Sequence, residues 1–459
     1  MLDTVRADVL KPYGGNTEVH NIAHLAKNGV KYNMAIAPGT YTLPSHLSLF
    51  LGKRAAHIPW LKSTGMKFSD LMTDPLLKKS RYRSSELTMA QVMEYFGYRS
   101  ALFSNNPFVS ESTGLANGFS HVSNLFIDEK IKANKVSVKA VLGLIQNDYT
   151  RKGLVDLAYG ISSVIPSKRL DWMYLSMRKR LNRHFSDEYG YYELDKGADE
   201  TNRQLRQYLK SNKGERNFIF INYMEGHEGY PTNLITNSYV EQDKWLHMIG
   251  KADAGDLASI KGAYSKRIEY LDVKIGQALK MMKQNGLLDD AMLILSSDHG
   301  QAFMEHGEMF HNVYPYNEVC RVPLVIANFK SGKQIRDSVQ IDAPFSLTNL
   351  NKIITGREVE KTAVPVVSDH LGITEVWDTH LLRLFRTKSK NADMIYKKKV
   401  EQDRHATAIY YRDYKLIHYY GKENDELYNL KDDMAESENL IRTKRGVARR
   451  LLAYNTVVS

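Results

Sequence analysis

Side chains that can bind a metal ion follow an apolar stretch of the chain. The stretch 291-AMLILSS leads directly into Asp298 and His299, and His306 and His311 come soon after. An adjacent carboxylate and imidazole suit Zn²⁺, Mn²⁺ or a similar divalent ion. Asp-His pairs also occur without a metal, so this pair predicts a metal centre only if further ligands converge on it.

A second candidate is a hydroxyl near the start of a predicted helix. Thr42 lies in 37-APGTYTLPSHLSLFLGK, where small and turn-forming residues precede Pro44 and an apolar run. One interpretation is structural, since threonine commonly caps a helix through its side-chain oxygen. The other is catalytic, because the positive end of the helix dipole favours an alkoxide and an incoming anion.

Two more stretches place acids or histidines after apolar residues. Glu225 and His227 follow 217-NFIFINYM, although His227 taken alone is more typical of a hydrogen-bonded loop residue. Asp3 has the pattern of a strand end entering a loop, yet only Met1 and Leu2 precede it. We therefore expect either that an edge strand has been lost there or that Met1 is not the natural start.

Strand-like apolar runs alternate with amphipathic helical patterns along most of the chain. Examples are the runs that begin at 100-SALFSN and 291-AMLILSS, and the helical pattern over 266–286. Continuous apolar strands between helices predict an α/β fold with a central, mostly parallel sheet covered on both faces. Ligands of such sheets bind beyond the carboxyl ends of the strands, where the candidate residues lie.

Two regions depart from this alternation. Residues 126–190 are helical in pattern and rich in Lys and Arg with interleaved aromatic residues. They could form a basic lid or a surface for an acidic polymer or lipid headgroup, or simply a solvated helical insertion, which is the usual fate of a charged run. From residue 357 short strands predict a small antiparallel subdomain, so we divide the chain into 1–356 and 357–459.

Composition narrows the class of protein. The 459 residues carry a net charge of +11, which favours anionic partners without giving a firm nucleic-acid signal. The single cysteine, Cys320, excludes an intramolecular disulfide framework and a thiolate-rich metal cluster. No transmembrane segment or signal peptide is visible, so the chain as given is expected to be cytoplasmic, unless a signal, anchor or strand lies upstream.

Taken together, these motifs resemble the sulfatase branch of the alkaline phosphatase superfamily over nearly the whole chain. The nucleophile motif of that family is similar to the segment from Thr42 to His46 followed by 51-LGK. Four further motifs match in the family order. They are Asp3 with 13-YGGN and 22-IAHLAKNGVKYNMAIAP, then 223-YMEGHEGY, then 298-DHGQAFMEHG with 321-RVPL, and last 409-IYYRDYKLIHYYGKENDELYNL.

The resemblance implies a role for each matching residue. It implies a divalent ion held by Asp3, Asp298 and His299, with Thr42 at the nucleophile position and touching the ion. His311 stands where the family usually carries an anion-binding Lys, and could bind the anion, protonate a leaving group, or join His227 on a second ion. The remaining implied substrate-binding residues are His46, Lys53 and His306.

Departures from the family pattern change the expected chemistry. Sulfatases convert a Cys or Ser to formylglycine, and threonine is not a known substrate for that conversion, so no formylglycine is expected. Threonine is what nucleotide pyrophosphatase-type phosphodiesterases and phosphoethanolamine transferases use to attack phosphorus. Thr4 and His46 replace a metal-binding Asp and an Arg of the family, and we expect one firmly bound Zn²⁺, Mn²⁺, Ca²⁺ or Mg²⁺ ion, with a second ion possible.

Three functions remain open on this basis. The first is a metal-dependent hydrolase or transferase that cleaves a phosphate ester or diester through Thr42, on a substrate that could belong to a glycan or lipid headgroup. The second is a sulfuric ester hydrolase with an unconventional nucleophile. The third, of another class, is a catalytically inert protein that binds an anionic polymer.

Overall fold

The computed structural model describes residues 1–58, 86–111, 113–124, 194–227, 254–311, 314–357, 364–371, 405–421 and 424–455. The basic region predicted at 126–190 lies outside the described residues. No helix within the described ranges has both the length and the apolar character needed to cross a bilayer.

A central sheet organises the first three quarters of the chain. Its strands are β1 (Val30–Ile36), β2 (Arg99–Ser104), β3 (His121–Asn124), β4 (Asn217–Asn222), β5 (Asp290–Ser296), β8 (Arg321–Lys330), β9 (Lys333–Gln334), β10 (Val339–Ile341) and β11 (Phe345–Ser346); a separate short hairpin pairs β6 (Ala302–Phe303) with β7 (Met309–Phe310). The predicted apolar runs at 100, 217 and 291 are confirmed as β2, β4 and β5. Among the main strands described, β8 alone runs opposite to its neighbours, pairing antiparallel with β1 and β5.

Leu2 joins the two halves of this sheet. It bridges in parallel to Tyr223, next to β4, and to Ser297, next to β5. Its amide donates to the Ser296 carbonyl oxygen at 2.8 Å, and the Tyr223 amide donates to the Met1 carbonyl oxygen at 3.0 Å. Of the two alternatives given above, the loss of an edge strand is wrong, because these residues lie in the interior of the sheet. Asp3, the next residue, therefore lies at the end of a central strand position of the sheet.

Helices cover both faces of the sheet, as predicted. They are α1 (His20–Asn28), α2 (Thr42–Leu51), α3 (Met89–Tyr95), α4 (Ala198–Ser211), α5 (Ala254–Gln284), α6 (Asn317–Cys320) and α7 (Asn349–Ile354). One core packs α1, α4 and α5 on the sheet, and the other packs α2, α3 and α7 on the opposite face. Neighbouring residues of β8 serve different cores, Val325 the first and Leu324 the second, because successive strand side chains point to opposite faces.

Helix α5 shows how sequence pattern becomes packing. Ile268, Leu271 and Ile275 recur at helical spacing and are buried in the first core, as the pattern predicted. Each such side chain contributes about 1.5–3 kcal/mol when fully buried. The buried stripe holds α5 against the sheet.

A second, antiparallel sheet lies near the C-terminus. Its strands, in spatial order, are β12 (Val366–His370), β13 (Ala406–Tyr411), β14 (Tyr414–Tyr419) and β15 (Glu426–Asn429). Helix α8 (Arg445–Tyr454) packs on it through Ala448 and Leu451, which contact Leu416 in a small separate core. The predicted strands after residue 405 are confirmed, and the boundary at residue 356 stays a prediction.

Candidate metal centre and nucleophile

The candidate residues meet at the carboxyl edge of the central sheet. Asp3 follows the Leu2 bridge, Asp298 lies two residues after β5, and Thr42 begins the helix that follows β1. Parallel strands direct their carboxyl ends to the same edge, so residues distant in sequence converge there. One potential ligand atom from each of Asp3, Asp298 and His299 lies within 4.8 Å of the others, and all three side chains are buried.

Each of these three side chains presents one atom suited to a cation. Asp3 Oδ1 and Asp298 Oδ2 are buried and accept no hydrogen bond from the described residues. Their other oxygens are satisfied: Asn106 Nδ2 donates to Asp3 Oδ2 at 2.7 Å, and the Thr4 amide donates to Asp298 Oδ1 at 3.2 Å. His299 Nδ1 lies 3.0 Å from the Gly300 carbonyl oxygen and donates a hydrogen bond to it. Because Nδ1 then carries the proton, Nε2 has the lone pair and is the ligand atom. The donor set therefore fits a divalent cation bound by two oxygens and one nitrogen.

The electrostatics of the two buried carboxylates, Asp3 and Asp298, also favour a bound cation. Burial, and then the neighbouring charge of Asp298, raises the pKa of Asp3 to about 7. Burial likewise raises the pKa of Asp298 to about 7. Two buried carboxylates are costly unless opposite charge compensates them. A divalent ion would supply that charge.

We expect the stabilisation that a metal gives to depend on pH. In the metal-free folded protein the two carboxyls hold protons up to about pH 7, whereas in the unfolded chain they release them near their ordinary value of 3.8. Metal-free stability should therefore fall as pH rises from about 4 to 7, while a cation that replaces the protons binds better. The increase in Tm on adding Mn²⁺ or Zn²⁺, measured against chelator, should be larger at about pH 8 than at about pH 5.5. Equal increases at the two pH values would contradict the ligand set.

Thr42 does not cap its helix. It is the first residue of α2, the preceding position is Tyr41, and no side chain makes the cap hydrogen bond. The interpretation of Thr42 as an N-cap is therefore wrong. Its Oγ1 instead lies 3.4 Å from His299 Nε2 and 3.5 Å from Asn106 Nδ2, beside the carboxylate pair. The hydroxyl thus points at the site where the three ligand atoms converge.

The next turns of α2 support this arrangement from behind. His46 is fully buried, with Nδ1 3.0 Å from the Thr42 carbonyl oxygen and 3.5 Å from Asp298 Oδ2. Burial lowers its pKa to about 3, so the imidazole is neutral. Ser45 Oγ donates to the Asp298 carbonyl oxygen at 2.6 Å. These contacts suit a positioning role for His46 better than the predicted contact with substrate.

Two further histidines line up beside His299. The ring of His311 stacks on His299 with centroids 4.8 Å apart, and the ring of His227 meets His311 edge-on, also at 4.8 Å. Both outer rings are only partly buried. The structure thus places the two predicted catalytic histidines next to the candidate ligand His299. His311 contacts His299, and His227 contacts His311 on its other side.

Glu225 is next to this row but has a structural role. Its Oε1 accepts from the backbone amides of Lys196 and Ala198, at 2.9 and 3.0 Å, where α4 begins. A carboxylate there satisfies amides that the helix leaves without partners. Glu225 thereby fixes the helix beside His227.

Two predicted substrate-binding residues lie elsewhere. The Lys53 side chain is 46% exposed and pairs with Glu86, which is 44% exposed, beyond the C-terminal end of α2. His306 stacks on Tyr316 at 3.8 Å and lies 2.7 Å from Glu318 Oε1. Among the described residues, the structure does not bring either side chain to the group formed by Asp3, Asp298 and His299. Lys53 follows the C-terminal end of α2, and His306 Nε2 also lies 3.3 Å from the Glu436 carbonyl oxygen. Their assignment to substrate binding stays a prediction.

Two functional candidates were missed by sequence analysis. Asn106, two residues after β2, bonds Asp3 and lies near Thr42, and Asn222, at the end of β4, has Nδ2 3.4 Å from His46 Nε2. The pattern that located Asp298, polar residues directly after an apolar strand, also holds for 100-SALFSNN. Asparagine is so common in turns that this pattern alone did not distinguish it.

A sequence model of the family described as Sulfatase matches residues 1–352 of this chain. Among curated proteins, an N-acetylglucosamine-6-O-sulfatase of Bacteroides thetaiotaomicron is 21% identical over a 486-residue alignment that covers 96% of this chain and 81% of the relative.

Solved structures show the same fold. A phosphonate monoester hydrolase from Silicibacter pomeroyi superposes with a TM-score of 0.61 and 13% identity, covering 100% of this chain and 94% of the other. A phosphonate monoester hydrolase of Agrobacterium radiobacter gives a TM-score of 0.60 and 17% identity, covering 99% and 93% of the two chains. At these identities the likeness concerns architecture.

Proposed function

Because this chain belongs to the sulfatase family of ester hydrolases, we propose that it cleaves a phosphate ester or diester with Thr42 as nucleophile. In this proposal Asp3, Asp298 and His299 hold one divalent cation. The observation that carries the proposal is the Thr42 hydroxyl, which makes no cap and lies 3.4 Å from His299 Nε2. If the threonine served only to cap a helix, its side-chain oxygen would accept a hydrogen bond from a backbone amide in the first turn.

The proposed reaction has two steps, and Thr42 takes part in both. Thr42 Oγ1 forms a bond to phosphorus and gives up its proton, while the bond from phosphorus to the leaving oxygen breaks and that oxygen gains a proton. The oxygen of water or of an acceptor alcohol then forms a bond to phosphorus and gives up a proton, while the bond between phosphorus and Oγ1 breaks and Oγ1 regains its proton. In this proposal His227 and His311 exchange these protons, and the stacking of His311 on His299 at 4.8 Å supports this assignment. A bound divalent cation would lower the pKa of a hydroxyl that it touches and offset charge on the ester oxygens.

Chemistry of the nucleophile supports phosphorus over sulfur. The sulfatase aldehyde is made from Cys or Ser, and position 42 carries neither. The phosphonate monoester hydrolases, whose fold this chain shares, act on an ester at phosphorus according to their names. We therefore place a phosphorus ester first.

A second candidate function is hydrolysis of a sulfuric ester. The curated relative that aligns with 96% of this chain is named as a sulfatase of N-acetylglucosamine, and this similarity favours a sulfated glycan as substrate. Thr42 would then act without conversion to an aldehyde. The third function, an inert protein that binds an anionic polymer, depends on the basic region 126–190, which lies outside the described residues.

The test is to trap the covalent intermediate. Protein loaded with Mn²⁺ or Zn²⁺ is mixed with an aryl phosphate, an aryl phosphodiester or an aryl sulfate, quenched in acid, and digested for mass spectrometry. We expect turnover of a phosphorus ester and a phosphoryl group on the peptide that contains Thr42. Turnover of the aryl sulfate alone would support the second candidate. A phosphoryl group on another residue, or no turnover of any ester, would overturn the proposal.

A further inference from the structure

One strand of the C-terminal sheet lies against the segment that carries Thr42. Gly39 and Asp369 form a parallel bridge, and the Asp369 amide donates to the Pro38 carbonyl oxygen at 3.0 Å. Strand β12 therefore extends the backbone pairing of the C-terminal sheet to within a few residues of the proposed nucleophile. A region that contributes no metal ligand among the described residues thus contacts the core of the site.

His370 makes the contact with the segment that precedes the N-terminal end of α2. Its Nδ1 lies 3.0 Å from Thr40 Oγ1, and both side chains are fully buried. The ring of Tyr314, which follows the His311 segment, meets His370 edge-on with centroids 5.5 Å apart. His370 thereby touches both the segment before Thr42 and the one after His311.

Asp369 makes the contact with the segment that follows the C-terminal end of α2. Arg54, three residues after the end of the helix, donates to the Asp369 carboxylate through Nε at 2.9 Å and Nη2 at 2.8 Å. The Ala56 amide and Thr407 Oγ1 donate to the same carboxylate at 3.0 and 2.9 Å. A buried bidentate pair with its oxygens satisfied fixes distance and orientation together.

Two consecutive residues of one strand therefore contact the segments that flank α2 on both sides, at Thr40 before the helix and at Arg54 after it. We propose that Asp369 and His370, which we call the β12 clamp, are positioning residues that hold α2 so that the Thr42 hydroxyl stays beside the metal ligands; this rests on the proposed function. Displacing a reacting group by about 1 Å can cost about 100-fold in rate, so a contact that touches neither substrate nor cation can still set turnover.

The hydrogen bond between His370 and Thr40 can be tested by substitution at either residue. His370→Ala and Thr40→Val each remove the hydrogen bond, and we expect kcat to fall about 10- to 100-fold with KM changed less than about 3-fold. Thr40→Ser, which keeps the hydroxyl, should recover most of kcat. Metal affinity, titrated directly, should stay near wild type, because no ligand is altered. The matched control is Thr17→Val, which deletes another buried threonine hydroxyl, one that donates to Ser265 Oγ; its kcat should not change.

A second measurement separates the clamp from the nucleophile. Backbone amide exchange over residues 38–51 should rise in His370→Ala and in Thr40→Val, also when Thr42→Ala is present, and should not rise in Thr17→Val. If Thr42→Ala kept its turnover, the proposed function would fail while exchange would still report on the clamp. Wild-type kcat in both His370→Ala and Thr40→Val, an equal loss in Thr40→Ser, or unchanged exchange would overturn the clamp.

Discussion

Thr42→Ala is expected to lower kcat by at least about 10³-fold, because it removes the atom that would form the covalent intermediate. The loss should appear in kcat and leave metal affinity near wild type, since the three proposed ligands are untouched. Steady-state kinetics on the best aryl ester, together with metal titration, measure both quantities.

Thr42→Ser is the matched control, since it retains a hydroxyl at the same position. We expect it to keep turnover well above that of Thr42→Ala and to form the intermediate on residue 42. Because Thr42 Oγ1 caps no backbone amide, neither substitution should shift Tm by more than a few degrees. If Thr42→Ala retained near-wild-type kcat, the nucleophile would have to be another group.

Asp298→Asn should lower metal affinity by more than about 100-fold without unfolding the protein. Loss of a group that only supports a ligand already costs about 10- to 100-fold in many sites, and here a ligand itself is changed. Asn Oδ1 can still accept from the amides of Thr4 and His299, which now bond Asp298 Oδ1 at 3.2 and 2.9 Å. The new amide also removes the charge that helps to raise the pKa of Asp3.

The same substitution should leave the metal-free protein as stable as wild type or more stable. Thermal unfolding in chelator and metal content after dialysis test these two parts separately. Asp290→Asn is the control: Asp290 is the exposed first residue of β5, the strand that leads to Asp298, and lies at the opposite end of that strand from the site. The metal affinity of this variant should not change. Wild-type metal content in Asp298→Asn would remove Asp298 from the ligand set.

Local patterns predicted much of the architecture. The apolar runs that became β2, β4 and β5 and the buried stripe of α5 could be recognised because burial imposes a short-range periodicity on the sequence. The direction of β8 could not, since an apolar strand has the same composition whether its neighbours run with it or against it. The sheet is mostly parallel, as predicted, and β8 is the antiparallel exception among the main strands described.

The candidate site was predicted in part, for a related reason. Asp3, Asp298 and His299 were predicted as ligands because they follow strands and match a family pattern, and the structure brings them together. Lys53 and His306 matched the same pattern by position but lie away from the group, because their orientation depends on Glu86 and Tyr316, whose contacts with them arise only on folding.

The sequence by itself determined which residue types stand at the ends of the strands, and therefore that a cation and a hydroxyl could meet at one edge of a sheet. Only the tertiary structure decided that the Thr42 hydroxyl is not used as a cap, that Asn106 donates to Asp3, and that β12 contacts the segments on both sides of α2. The physical reason is range: Thr40 and His370 are 330 positions apart, and no local pattern records a hydrogen bond between them.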